Sequence, residues 1–430
     1  MRTSIAWVLA VLNRGLFGHE VTPAMVNFLR RLSWSFLGTA LGAASFFIVN
    51  VLAGRILGPE EYGRYSLVVA AASAFAVLVG VGLDTTLVKY VAASSTEDES
   101  SRIVAVALRV VGVSAAAFIA VGGLARTSIA TLLGTDTNLI LCAVLYAVLL
   151  CYKSTLDAVI RGRQEFAFQA KVKLAEAMIV FASFGLIVIV LTHRSYVHYL
   201  LAVALGAMLV VATYRVSLIR HVGRWDWATL RSLLPYAGPS WGTSAIAVVI
   251  ASSDRVVVNR FVSTADLGVY SAYLLSTTML CWQVSMSIGN VLFPQASKLD
   301  DKIGLVRKVD RLAMLLFVPF MVVMSLISYV IILSFGARYP VIWRYIVLSC
   351  GAAFAQLLAV LYGSVAMSSV KLFRSLAKAI YVKPLFIGGI YYGLYLNTAI
   401  CLTTVWIALI ASALYDATAS RVVAARNAIE

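Results

Sequence analysis

A few charged side chains lie inside long apolar stretches of this sequence, where they are best placed to do chemistry. A charge at bilayer depth costs about 2.5 kcal/mol or more, so it usually faces a bundle interior or a wet cavity. Asp254 and Arg255 form the clearest such pair. Adjacent residues on a helix point about 100° apart, so these two cannot satisfy each other fully. We expect at least one to reach into a cavity as a ligand contact. The alternative is a polar lock between two helices.

Four more cations are candidates for binding an anionic ligand. Lys153 and Asp157 stand at i and i+4 of one apolar run, where they can pair, and Arg161 continues the same face. These three predict either a cationic port or a neutralised pair near the membrane surface. Arg109 and Lys89 are further candidates, although each is close enough to a helix end to reach the surface.

Asp84 is the most isolated acid, because it follows an apolar stretch in an otherwise apolar run. A lone buried carboxylate can load and release a proton, so Asp84 is the candidate for coupling to a proton or sodium ion. The alternative is an acid paired with Arg109 or Lys89. The five cysteines show no CxxC spacing and have no neighbouring histidine pair, so no metal, disulfide or other cofactor is predicted.

Composition shows which elements position these residues. The chain is 61% hydrophobic and 13% charged, whereas soluble domains carry about 25% charged residues. A membrane-spanning helix needs roughly 20 apolar residues. About twelve runs qualify, which predicts an all-α integral membrane protein. They are 32–54, 66–92, 103–124, 138–160, 172–192, 197–219, 236–261, 267–296, 310–334, 341–367, 379–396 and 398–418.

The net charge of +16 is a topology signal rather than a sign of nucleic-acid binding. No soluble basic module exists to bind nucleic acid. All but eight of the 35 Lys and Arg residues fall on one side of the predicted spans, which places both termini in the cytoplasm and favours contact with anionic membrane lipids. The exceptions are Arg55, Arg64, Arg126, Arg194, Arg255, Arg260, Arg338 and Arg344.

An internal repeat divides the chain. The segment 55–66 recurs as 260–271, with Arg, an acid, Gly, Tyr and Ser at matching offsets. Repeats of this kind are typical of transporters. We therefore predict two pseudo-symmetric six-helix lobes, 25–220 and 221–430, related by a pseudo-two-fold axis around a central cavity. Residues 1–24 are predicted to form an interfacial helix, the alternative being a short signal-like segment.

Two longer stretches resemble a known family. LGPEEYGRYSLVVAAASAFAVLVGVGLDTTLVKYVA (57–92) and LLPYAGPSWGTSAIAVVIASSDRVVVNRFVSTADLGVYSAYLL (233–275) are similar to the polysaccharide-biosynthesis flippases. These are the lipid-linked oligosaccharide (O-antigen type) transporters of the multidrug/oligosaccharidyl-lipid/polysaccharide exporter superfamily. One departure stands out. Ser263-Thr264 replaces Gly58-Pro59, so we expect a looser second turn.

The resemblance implies a MATE-like, twelve-helix protein of the bacterial cytoplasmic (inner) membrane. Its expected role is to flip a polyprenyl-pyrophosphate-linked oligosaccharide for O-antigen, capsule or exopolysaccharide assembly, by alternating access. The implied partners are the lipid-linked oligosaccharide, a polysaccharide polymerase and a chain-length regulator.

Two other functions remain as alternatives. A MATE-type drug or cation antiporter would need a cavity dominated by acids, whereas basic residues inside the spans at least match the acids here. A membrane polysaccharide polymerase or ligase would carry a large periplasmic loop, and no segment between the predicted spans is long enough. We therefore expect no enzyme activity. Since no nucleotide-binding motif is present, transport must be coupled to an ion or to consumption of the product.

Overall fold

The computed structural model of the chain describes helices joined by short turns, with no strand among the described residues. Those residues are 42, 44–190, 194–218, 225–285, 288–289, 292, 302–366 and 370–426. The predicted interfacial segment 1–24 and the last four residues lie outside them.

We number the described helices in chain order. The first eight are α1 (Ala44–Leu57), α2 (Pro59–Gly80), α3 (Leu83–Ala93), α4 (Glu97–Leu124), α5 (Arg126–Leu133), α6 (Thr137–Gly162), α7 (Phe166–Val190) and α8 (Tyr196–Leu218). The others are α9 (Trp227–Phe261), α10 (Thr264–Leu274), α11 (Lys302–Phe335), α12 (Trp343–Ala366), α13 (Val370–Leu396) and α14 (Leu402–Arg426). A π-helical turn, Leu275–Met279, continues α10.

Ten of the described helices are long and apolar enough to cross a membrane by length and composition. The other two predicted spans are described only in part. Span 32–54 is represented by α1, and span 267–296 by α10 and the turn that follows it. The predicted all-helical, multi-pass architecture is confirmed over the described chain.

The prediction of one continuous span over 66–92 is wrong, because the chain breaks between α2 and α3. Val81 and Gly82 both adopt left-handed backbone conformations, with φ of 49° and 72°. A Cβ on Gly82 would lie 2.2 Å from the carbonyl oxygen of Ala237 on α9, so only glycine allows this close approach. The break places Asp84 in the first turn of α3, where a helix N-terminus favours an acid.

Helix α9 belongs to the second half of the sequence but packs along helices of the first half. Asp226 caps its start, since the Asp226 carboxylate accepts hydrogen bonds from the Ala228 and Thr229 amides, and the helix runs for 35 residues. The Tyr90 hydroxyl donates to the Ser232 carbonyl at 3.1 Å. Further along, the Trp241 indole donates to the Val77 carbonyl at 3.0 Å. The two halves of the repeat therefore meet along α2, α3 and α9.

Candidate functional site

The two copies of the repeat contact each other directly. A Cβ on Gly63 would lie 2.0 Å from the Thr264 carbonyl oxygen, and one on Gly268 would lie 1.8 Å from the Pro59 carbonyl oxygen. Adding 205 to Pro59 and Gly63 gives Thr264 and Gly268, so the contact is reciprocal. Only glycine lets the two backbones approach this closely. A reciprocal contact of this kind is what the predicted pseudo-two-fold relation between the two copies requires.

A serine pair lies beside these glycines. The hydroxyls of Ser66 and Ser271 are 2.7 Å apart and buried, and the two residues are again separated by 205 positions. The looser second turn stays a prediction, but the start of α10 has a side-chain cap that the start of α2 lacks. Ser263 caps α10 by accepting a hydrogen bond from the Asp266 amide at 3.0 Å, which replaces the constraint that Pro59 provides at the start of α2.

A second reciprocal contact flanks the first. The Tyr339 hydroxyl donates to the Gly54 carbonyl at 2.9 Å. At the related positions, the Asn259 amide donates to the Gly134 carbonyl at 3.3 Å. The repeat relates the two bridges to each other. Residue 54 corresponds to residue 259 and residue 134 to residue 339, with an offset of 205 in each case. Different side chains thus perform the same bridging task in the two halves.

Three arginines complete this contact. Each lies over a left-handed glycine that follows a helix C-terminus of the other half. Arginine at a helix C-terminus interacts favourably with the helix dipole, by about 0.3–1 kcal/mol at an exposed site. The pairs are Arg55 with Gly336, Arg260 with Gly134 and Arg338 with Gly58. We call this contact region the seam. It comprises the three arginine contacts, the Gly63–Gly268 and Ser66–Ser271 pairs, and the bridges made by Tyr339 and Asn259.

Asp254 and Arg255 lie next to the seam but differ in their surroundings. Asp254 is 4% exposed; its carboxylate accepts the Tyr270 hydroxyl at 2.6 Å and the Arg255 amide at 2.7 Å. The Arg255 Nε is buried without a hydrogen-bond partner, and no described carboxylate lies within 4 Å of its guanidinium. Tyr62 and Tyr65 lie on α2 of the other half, close enough to interact electrostatically with the Arg255 guanidinium. Arg255 is thus a cation at the boundary between the halves.

A cavity of about 380 Å³ in the first half brings together several of the other predicted residues. It lies beside the break between α2 and α3, and α6 supplies three of its six polar lining residues. It is lined by Ser73, Ala76, Val77, Asp84, Leu150, Lys153, Ser154, Asp157 and Lys173.

The predicted pairing of Lys153 with Asp157 is wrong. Lys153 forms its ion pair with Glu176, a buried residue of α7. Asp157 accepts hydrogen bonds from Gln169 at 2.8 Å and Tyr214 at 3.1 Å. Packing of α6 against its neighbours decides both partners, although the spacing within the helix allowed the other pair.

The predicted cationic port carries nearly balanced charge. Arg161 is exposed, and its Nε lies 3.8 Å from a carboxylate oxygen of Asp157. Lys173 approaches the same oxygen at 3.9 Å. With Lys153 bound to Glu176, this group offers little net positive charge to an anionic ligand.

Asp84 does not contact Lys89 or Arg109, the basic residues that the sequence suggested as its partners. The Ser154 hydroxyl donates to its Oδ2 at 2.7 Å, while its Oδ1 is buried and has no partner. The alternative pairing with Lys89 or Arg109 is wrong. Lys89 lies over the Tyr236 ring, 4.1 Å from its centroid, and Arg109 is exposed on α4. Asp84 therefore lines the cavity with one carboxylate oxygen bound by Ser154 and the other buried without a hydrogen-bond partner.

Sequence reasoning missed one ion pair inside the spans of the second half. Lys383 donates to Asp416 at 2.5 Å, between α13 and α14, and the Lys383 side chain is largely buried. The signal was present, because both charges interrupt apolar runs. The sequence does not pair them, because Asp416 lies 33 residues further along the chain, on a different helix.

Comparison with known proteins decides the family. The sequence profile of the family described as "Polysaccharide biosynthesis protein" matches residues 28–300. The chain belongs to this family. Comparison with curated proteins returns no match.

Solved structures extend the family assignment to the fold. A MATE multidrug-resistance transporter of the MOP superfamily, in an inward-facing conformation, aligns with a TM-score of 0.70 at 12% identity, covering 92% of this chain and 98% of its own. The MATE multidrug transporter DinF-BH gives 0.68 at 14% identity, with coverage of 94% and 96%. A MOP transporter from Pyrococcus furiosus, described as having a binding pocket of reversed polarity, gives 0.65 at 13% identity, with coverage of 93% and 95%. This member of the polysaccharide biosynthesis family therefore has the fold of MOP-superfamily transporters.

Proposed function

We propose that this protein flips a polyprenyl-pyrophosphate-linked oligosaccharide across the bacterial cytoplasmic membrane for surface polysaccharide assembly. Membership of the polysaccharide biosynthesis family and the MOP transporter fold support a transporter of this general kind. The observation that carries the choice of an anionic cargo is Arg255, a guanidinium between the two halves with an unpartnered Nε.

The chemistry of Arg255 suits a pyrophosphate. The guanidinium offers a planar fork of donors that matches phosphate oxygens, and it stays charged inside a membrane protein. Asp254 does not compete for an organic cation, because Tyr270 and a backbone amide already occupy its carboxylate. This arrangement favours an anionic cargo over the cationic drugs that an antiporter would carry.

The seam explains how the cargo would cross. It closes the end of the bundle that bears the repeat, which the distribution of Lys and Arg predicts to face outward. The cargo head would enter from the cytoplasmic side, and its polyprenyl tail would stay in lipid. Rocking of the two halves would then open the seam, with Arg255 as the last charge beneath it. Delivery to the outer leaflet would bring the cargo to a polymerase and a chain-length regulator.

The test of the function is leaflet-resolved measurement of lipid-linked oligosaccharide in a deletion strain. In a strain without a redundant flippase, we expect the intermediate to accumulate in the inner leaflet and surface polysaccharide to disappear. Expression of the wild-type chain should restore both. Normal outer-leaflet delivery in the deletion strain would refute the proposed function.

Asp84 is the proposed coupling group. Its free Oδ1 and the cavity beside it provide a place to hold a proton or a sodium ion during the cycle. We expect Asp84→Asn to lower export about tenfold, since an amide cannot exchange a proton or neutralise a cation. Export should also lose its response to collapse of the proton or sodium gradient.

Ser154→Ala is the matched control for this substitution. It removes the hydrogen bond to Asp84 but leaves the carboxylate, so gradient dependence should persist. If export by Asp84→Asn keeps the wild-type gradient response at a normal protein level, coupling lies elsewhere.

A further inference from the structure

An open groove lies in the second half of the chain. Its volume is about 490 Å³, and it runs between α11 and α12 with α14 at one end. The lining residues of α11 are three or four positions apart, and those of α12 are four positions apart. Each helix therefore turns one face to the groove. It is lined by Asp310, Ala313, Met314, Phe317, Phe354, Leu358, Tyr362 and Arg421.

One end of the groove is polar, and its polar side chains form hydrogen bonds with one another. Asp310 accepts the Tyr362 hydroxyl at 2.5 Å, and the Arg421 guanidinium binds both of its carboxylate oxygens, at 3.0 and 2.8 Å. The Arg421 side chain remains 53% exposed. The carboxylate is thus neutralised within the protein, while the guanidinium keeps a face open to a second anion.

The other end of the groove is apolar and lies deeper in the bilayer. A helix rises 1.5 Å per residue, so Phe317 lies about 10 Å beyond Asp310 along α11. From Leu312 to Phe335 the helix has no charged residue, which gives about 36 Å of apolar length, enough to cross the hydrocarbon core. Asp310 therefore marks the edge of the core, and Met314, 78% exposed, lies within it.

Among the described residues at the polar end, cations outnumber acids. Arg307 and Arg311 lie one turn apart on α11, both exposed and close to Asp310 in the helix, and Arg421 adds a third positive charge. Basic pockets between membrane helices on the cytoplasmic side are places where anionic lipid headgroups bind. An apolar groove alone would accept any acyl chain, so the three arginines are what select an anionic headgroup.

We propose that this groove binds an anionic diacyl phospholipid of the leaflet at the basic end of the bundle. The headgroup phosphate contacts Arg421, Arg307 and Arg311, and one acyl chain lies along the apolar end. Every residue that lines the groove belongs to α11, α12 or α14, and none belongs to the seam or neighbours Arg255. This location separates the site from the boundary between the halves, where the cargo is proposed to pass, so it does not depend on the identity of the cargo.

Lipid retention by the purified full-length protein tests this site. Native mass spectrometry would compare phosphatidylglycerol, phosphatidylcholine with the same acyl chains, and a polyprenyl phosphate. We expect the wild-type chain to retain phosphatidylglycerol about tenfold better than phosphatidylcholine. Ala313→Trp fills the groove and should reduce retention to the level of background lipid.

Two further variants keep the result interpretable. Leu315→Trp places the same bulk on an exposed residue of α11 that does not line the groove, so retention should match the wild type. The double variant Arg307→Gln/Arg311→Gln changes exposed residues only, and it should remove the preference for phosphatidylglycerol without changing thermal stability. Equal retention of the two phospholipids by the wild type, or unchanged retention by Ala313→Trp, would overturn the proposal. So would displacement of phosphatidylglycerol by the polyprenyl phosphate, which would assign the groove to the cargo.

Discussion

Joining residues 66 and 271 by a disulfide is expected to stop export, and reduction of the disulfide is expected to restore it. The hydroxyls of Ser66 and Ser271 are 2.7 Å apart, so Ser66→Cys/Ser271→Cys places two sulfur atoms within bonding reach. Because the two residues belong to opposite halves, the bond would hold the seam closed. In a cysteine-free background, we expect oxidation to reduce outer-leaflet delivery by more than about tenfold, and a reductant to reverse the loss.

The chain offers a matched control for this experiment. Ser276 and Ser328 also have buried hydroxyls in contact, 2.9 Å apart, but both belong to the second half. Ser276→Cys/Ser328→Cys should form a disulfide with no effect on export, since the bond joins helices that move together. Full export by oxidised, quantitatively cross-linked Ser66→Cys/Ser271→Cys would show that the seam does not open during transport.

The arginine contacts of the seam are individually weak. Among the described residues no carboxylate takes part in them, and they rely on helix C-termini that contribute about 0.3–1 kcal/mol each. The glycines at the centre bring the two backbones close together, and apolar residues of both halves, including Tyr62 and Leu267, belong to one buried cluster around them. Opening the seam would therefore separate apolar side chains as well as polar bridges.

The repeat in the sequence predicted more of the fold than any single motif. The constant offset predicted two related sets of helices, whereas the contact of Ser66 with Ser271 and the bridges from Asn259 and Tyr339 were found only in the structure. The bridging side chains themselves were not predictable. A tyrosine side chain is longer than an asparagine side chain, so the two reach a carbonyl from different backbone distances. The two bridging positions therefore share no residue type.

Contacts between distant helices account for the errors. Apolar composition alone could not locate the break at Gly82, because only the approach of α9 requires glycine there. The spacing of Lys153 and Asp157 allowed a pair, but it contains no information about Glu176 on a neighbouring helix. Asp254 and Arg255 were predicted not to satisfy each other, and the sequence could not reveal that Tyr270 would bind the acid.

The lack of an ion pair between Asp254 and Arg255 has a consequence for the proposed transport of an anionic cargo. A partnered Arg255 would give up an existing ion pair to bind a phosphate, and the exchange would gain little. The unpartnered Nε instead leaves donor capacity unused while the seam is closed. Binding of a phosphate beneath the seam would satisfy that donor, so cargo would be favoured in this position over an empty site.

Replacing Arg255 by glutamine should therefore lower export sharply while leaving the protein in the membrane. A hydrogen bond to a charged group contributes about 1.5–3 kcal/mol, which corresponds to roughly tenfold to a hundredfold in affinity. Arg255→Lys should give an intermediate rate, because a lysine keeps the charge but lacks the planar fork. Arg126→Gln, which removes an exposed cation from α5, should export normally. The measurement is outer-leaflet delivery normalised to membrane-inserted protein. Equal export by Arg255→Gln and the wild type would remove Arg255 from the transport path and leave it as a lock between helices.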